Sequence, residues 1–117
     1  STEMKALLLQ DKKIQFVESR VDKLENTMTV DYGQQKELER IRKSRAITIL
    51  GGINSKAYKS VSGKVFRAIG HDYKEYFDIN AYNNTPSARY GEAVQYLKNW
   101  LPDNNLQIEI NRANKAN

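Results

Sequence analysis

Apolar residues return every seven positions at the start of the chain, at Leu7, Ile14, Val21 and Met28, with Val17 and Leu24 in the second seam position. Charged residues from Asp11 to Glu25 fill the flanks, which is the pattern of a short coiled coil. β-Branched residues at the first position with Leu at the second favour a parallel dimer. Gln10 interrupts the second seam, either as a register-setting polar residue or as a frayed end. Three heptads are marginal alone. Residues 1–30 are therefore expected to oligomerise through Leu7, Ile14, Val17, Val21, Leu24 and Met28, the alternative being an amphipathic helix docked on its own domain.

Thr29 to Gly33 breaks the heptads, and Asp31 is placed to cap a helix running from about Gln34 to Leu50. Leu38, Ile41 and Ile49 share one face of that helix, and Lys36, Arg40 and Lys43 the opposite one. Arg45 falls inside the apolar arc, where it needs a partner such as Asp72 or Glu75, or snorkels to the core's edge. Ala46 to Leu50 is β-branched enough for a strand, but Gly51-Gly52 supplies a helix C-cap and turn.

A second helix follows, capped by Asn54 or Ser55 and ending near Phe77. Tyr58, Val61, Val65, Phe66, Ile69, Tyr73, Tyr76 and Phe77 cover one broad arc, with Lys56, Lys64, Arg67, His71 and Lys74 opposite. Gly63 and Gly70 either admit a close neighbour or break the helix. The pair reads as helix-turn-helix-like.

Beyond a loop at 78–84, Thr85 is expected to cap a helix with Pro86 at its first position. Its apolar face carries Tyr90, Ala93, Val94, Tyr96, Leu97, Trp100 and Leu101, with Trp100 as a core anchor, and Pro102 ends it. Leu106, Ile108 and Ile110 alternate with polar residues and read as a short strand. The pattern predicts an all-α protein in three parts: a coiled-coil helix at 1–30, a small helical bundle at 31–102 and a largely flexible tail at 103–117.

Charge changes this picture. The chain carries a formal net charge of +5, yet nine basic and only two acidic residues lie between Lys36 and Arg67. The flanking segments each carry five basic and six acidic residues, so the whole surplus sits in the central third. Such asymmetry points to a polyanionic partner, with DNA first. The candidate contacts are Arg40, Lys43, Ser55, Lys56, Lys59, Lys64, Arg67 and Lys74, Ser55 to Ser60 lying at the start of the second helix, the part that reaches base edges in helix-turn-helix proteins. A solvated charged face is the alternative.

Catalysis finds little support. With no cysteine and one histidine, nucleophile–base pairs are nearly excluded. Gly51-Gly52 is too short for a phosphate loop, and the acidic residues do not cluster as metal ligands. His71 and Glu75 make one i, i+4 pair, too few for a metal site. No enzyme activity, metal or cofactor is expected. No apolar run is long enough to span a membrane, and no signal peptide is visible. The chain begins Ser1-Thr2-Glu3 and is expected to be a fragment of a longer protein.

Leu50-Gly51-Gly52 followed by Ser55-Lys56-Ala57-Tyr58 carries a resemblance. It continues through Val65-Phe66, Asp72 to Phe77, Ala81-Tyr82, Thr85-Pro86 and the helix bearing Ala93, Leu97 and Trp100. From about residue 29 to residue 101 the chain resembles the C-terminal domain of phage antirepressor-like proteins, a family named after a sixth open reading frame. The resemblance implies a phage or prophage regulator in the bacterial cytoplasm, in which this domain follows a DNA-binding module and a coiled linker. It implies no catalytic residues. It leaves two partners open besides self-association into a homodimer or higher oligomer: DNA, or a phage repressor protein.

Overall fold

The computed structural model describes residues 28–116. Leu7, Ile14, Val17, Val21 and Leu24 of the heptad seam lie outside the described residues. Four α-helices follow one another: α1 (Tyr32–Leu50), α2 (Lys56–Phe77), α3 (Tyr90–Asn99) and α4 (Asn104–Lys115). Two single-turn 3-10 helices, Tyr82–Asn84 and Ser87–Arg89, fill the connection from α2 to α3. Among the described residues there is no strand, only an isolated antiparallel bridge between Thr29 and Pro86. The all-α expectation holds, and no helix among these residues is long and apolar enough to cross a membrane.

Local chemistry sets the helix ends. The Asp31 carboxylate accepts from the Gln34 amide at 2.8 Å while the Gln34 side chain accepts from the Asp31 amide at 3.0 Å, a reciprocal capping box. Gly51 stops α1 in the left-handed region, with φ 96°. Ser55 caps α2, accepting from the Tyr58 amide at 3.0 Å. The hydroxyl is committed there and to the Gly52 carbonyl at 2.7 Å.

The core runs along one side of α2, through Ala57, Val61, Val65, Ile69, Tyr73 and Phe77. Leu38, Ile41, Ala46 and Leu50 pack on it from α1, Ala93 and Leu97 from α3, with Trp100 just beyond. Tyr76, expected in the apolar arc, instead lies on its shoulder, half exposed and stacked on Tyr96 with ring centroids 4.5 Å apart. α2 is unbroken at both internal glycines. Gly70 lies against Tyr82, where a Cβ would meet the hydroxyl at an ordinary contact distance of 3.6 Å.

Several expectations are corrected. Leu106 to Ile110 is not a strand, and residues 103–117 are not chiefly a tail: α4 spans Asn104–Lys115 and buries Leu106 and Ile110 in the common core. Alternation at 106, 108 and 110 fits a strand, but 106 and 110 also fit one helical face, and Ile108 is exposed. The Asp103 carboxylate caps the helix, accepting from the Leu106 amide at 2.8 Å. Asn114 ties α4 down: its amide nitrogen donates to the Leu50 carbonyl at 3.0 Å and its oxygen accepts from the Ala57 amide at 2.8 Å. One side chain thus meets open backbone groups at the end of α1 and the start of α2. Gly51 permits this, because a Cβ there would lie 3.2 Å from the Asn114 amide nitrogen.

Thr85 does not N-cap α3, and Pro86 precedes a 3-10 turn rather than opening that helix. Thr85 is fully buried, with its hydroxyl 2.6 Å from the Tyr73 hydroxyl and donating to the Tyr82 carbonyl at 2.7 Å. Burial pushes the Tyr73 phenol up to about 12, so it stays neutral. The Thr85 carbonyl accepts from the Val30 amide at 2.9 Å, which fastens the segment before α1 to the domain. Arg45 pairs with neither Asp72 nor Glu75. Its Nε donates to the Trp100 carbonyl at 2.8 Å, and Asp72 instead accepts from the Trp100 indole at 2.8 Å.

Candidate nucleic-acid interface

The basic residues of the central third occupy three settings rather than one stripe. On the α4 side, Lys64 makes an ion pair with Glu109 at 2.7 Å and Lys56 donates to the Ala116 carbonyl. These two cations tie α2 to α4. Arg40, on α1, forks onto Glu37 one turn earlier, with Nε to Oε2 at 3.0 Å, and its hydrogen bonding, helped by its charge, holds the Glu37 carboxyl below the usual range. Lys43 and Lys59 are exposed and make no ion pair among the described residues. Ser55 is engaged in capping, so its hydroxyl is already satisfied.

The third setting is a groove of about 670 Å³ between α1, α2 and the loop after α2. Arg67 and Lys74 line it from α2, two turns apart, with Gly70 and His71 between them. Arg42 lines it from α1, its guanidinium carbon 4.7 Å from the centre of the Tyr82 ring. The other side of this aromatic system is packed too, Tyr82 stacking on Tyr73 at 4.5 Å. Burial raises the Tyr82 phenol, and the neighbouring Arg42 charge opposes that rise. Glu75 and Asp78 stand toward the C-terminal end of α2. His71 is exposed, its Nδ1 3.6 Å from carboxylate oxygens of both Asp72 and Glu75.

The structure therefore brings Arg67 and Lys74 of the sequence-derived set together with Arg42, which that set lacks, and places Lys56 and Lys64 elsewhere. The missed residue left a signal: Arg42 follows Leu38 by four positions, so it sits at the edge of the apolar face of α1 beside Arg45. Met28, the described member of the heptad seam, is exposed, and its carbonyl accepts from the Ser87 amide at 2.9 Å.

A second exposed surface has the opposite character. Tyr76, Tyr96 and Leu101 lie among Asp72, Glu75 and Glu92. Arg89 bonds both oxygens of Glu92, at 2.9 and 2.8 Å, and the Tyr76 hydroxyl donates to the same carboxylate. Together they hold the Glu92 carboxyl at about 2.

Against this geometry, the model of the ORF6C domain matches residues 1–110. The chain belongs to the ORF6C domain family. The match takes in nearly the whole chain, including the heptad stretch before α1, so that stretch is part of what the family shares. Membership associates the chain with phage regulatory proteins. Neither the curated proteins nor the solved structures include a match to it.

Proposed function

We propose that this ORF6C domain is a non-enzymatic, antirepressor-like regulatory module of the host cytoplasm that oligomerises and binds DNA through its basic helical surface. The observation that carries this reading is the confinement of the positive charge surplus to α1 and the first half of α2, where Lys43, Lys59, Arg42 and Arg67 have no acidic partner among the described residues. Lys74 extends that surface along the groove. Phosphate contacts would dominate affinity and make it steeply salt-dependent.

The test is fluorescence anisotropy of a labelled duplex across ~50–200 mM salt. Four to six phosphate contacts give a log–log slope of roughly −4 to −5. Lys43→Glu, Lys59→Glu and Arg67→Glu combined are expected to abolish binding with helicity intact. Lys56 and Lys64 are left alone, because reversing them would set them against α4. Unchanged affinity in the triple variant would overturn the assignment of the contact to these residues.

The acidic, aromatic surface around Tyr76 and Tyr96 favours a second reading, a protein-interaction module that captures a phage repressor without touching DNA. Absence of duplex binding at low salt would move the function to that face.

Oligomerisation is checked separately. Light scattering on the full chain and on a variant lacking residues 1–28 is expected to show a lower mass for the shorter protein. Equal masses would rule out the heptad seam as the oligomer contact.

A further inference from the structure

The hollow between α2 and α3 combines exposed aromatic and apolar surface with negative charge. Tyr76 is half exposed and Leu101 66% exposed, and both line a depression of about 470 Å³ together with Tyr96, Asp72 and Glu92. An apolar patch rimmed by polar groups is the mark of a contact surface. Tyr76 and Tyr96 form one stacked pair, with centroids 4.5 Å and planes 26° apart. No lysine or arginine among the described residues lines this depression or the smaller one beside it, where Glu75 joins the two tyrosines and Asp72.

The chain holds one guanidinium of its own at the edge of this surface. Arg89 places its guanidinium carbon 4.5 Å from the centre of the Phe77 ring and 5.6 Å from that of Tyr76, and forks onto both oxygens of Glu92. Aromatic rings and a carboxylate thus hold an arginine here together. Tyr96, the next ring in the stack, stands in similar company. Burial raises its phenol, and the Asp72 and Glu75 charges beside it push it further up. One Asp72 oxygen accepts from the Trp100 indole. Its other oxygen and the 73% exposed Glu75 each lie 3.6 Å from His71 Nδ1, and neither carboxylate pairs with a lysine or arginine among the described residues.

The Arg89 arrangement shows which chemistry suits the surface beside Tyr96. A guanidinium stacks on a ring and bonds a carboxylate at the same time, which a compact ammonium does less well. Leu101 adds an apolar anchor that an isolated cation would leave in water. A peptide segment meets both needs.

We propose that this face docks an arginine-bearing segment of a protein partner, with the guanidinium against Tyr96 beside Asp72 and Glu75 and a neighbouring apolar side chain on Leu101. The proposal deepens the interaction reading of this face, on which it rests, and is independent of the DNA reading.

Trp100, the single tryptophan of the chain, borders the hollow and reports on it by fluorescence. The probe is a short peptide of arginine, leucine and glycine, free of tryptophan and tyrosine. It is titrated into the full chain beside versions with lysine, glutamine or glutamate in place of arginine. The arginine peptide is expected to shift Trp100 emission saturably, and the lysine version to bind more weakly. Glu75→Gln is expected to weaken the arginine peptide about two- to fivefold, the scale of one exposed ion pair. Asp72→Asn, which keeps an acceptor for the indole, is expected to add a similar factor. Glu39→Gln removes the same charge from an exposed position on α1 and is expected to leave binding unchanged.

Equal weakening by Glu39→Gln and Glu75→Gln would reduce the effect to net charge and overturn the site. A glutamine or glutamate peptide that binds as tightly as the arginine one would overturn the proposal while leaving the interaction reading in place. If no peptide moves Trp100 emission or, carrying a fluorophore, gains anisotropy, the proposal and the interaction reading of this face both fall. The DNA reading is judged separately, by duplex anisotropy, which Glu75→Gln is expected not to weaken.

Discussion

Trp100→Ala is expected to cost about 3–5 kcal/mol, the range for removing a large buried aromatic. That is a large share of the total of about 5–15 kcal/mol available to a domain. Trp100 is 5% exposed and sits just past the end of α3, where it joins three parts of the bundle. Its ring fills the core. Its indole nitrogen donates to Asp72 of α2, and its carbonyl accepts from Arg45 of α1. Trp100→Phe separates these contributions. It keeps most of the ring and loses only the bond to Asp72, a cost of about 1–2 kcal/mol. Urea unfolding followed by far-UV circular dichroism reads both variants, since the protein has no other tryptophan to report by fluorescence. A loss below about 1 kcal/mol for Trp100→Ala would mean that the ring is not the keystone described.

The two central helices were legible because their signals agree. Asp31 and Ser55 as caps, Gly51-Gly52 as a stop and a helical apolar period all point to the same boundaries. Trp100 was legible as an anchor by size alone. Thr85-Pro86 misled for a physical reason: Thr before Pro is a favourable opening for a helix, but here the hydroxyl is taken by Tyr73 twelve residues earlier, a long-range contact with no local trace. Arg45 was legible in part, since snorkelling at the edge of the core was one of its two readings and it lies partly buried there. Its place in the apolar arc called for a partner, and the obvious candidates were carboxylates. The partner is instead a backbone carbonyl left open at the end of α3, which becomes visible only once the helices are packed.

The basic surface was legible as a region and not as a site. Summed charge marks the basic segment, but a helical wheel treats every lysine on one arc as equivalent. Packing α4 against α2 draws Lys56 and Lys64 into contacts within the domain, while α1 brings Arg42 across to Arg67 and Lys74. The division between structural and available cations is set by neighbours distant in sequence. Asn114 is the plainest case. It lies in a polar stretch that reads as tail, and its function as a clamp depends on two backbone groups, at Leu50 and Ala57, roughly sixty residues away.

The last helix supplies the second large effect, and it discriminates between the two periods that fit the same three residues. Ile110 is 1% exposed and Leu106 9%, whereas Ile108 is 39% exposed on the far side of α4. Ile110→Ala is expected to cost about 2–5 kcal/mol through lost burial and the cavity left behind. Ile108→Ala is expected to change stability by no more than about 0.5 kcal/mol, because it removes little buried surface and places a better helix former in the chain. A strand with one buried face would give the opposite pattern, with 106, 108 and 110 all sensitive. Urea midpoints for the three single alanine variants therefore test the helix directly. Equal losses at all three positions would contradict α4, whereas losses at 106 and 110 alone would fix it as a core element and make the integrity of the Leu50–Ala57 turn depend on residues near the end of the chain.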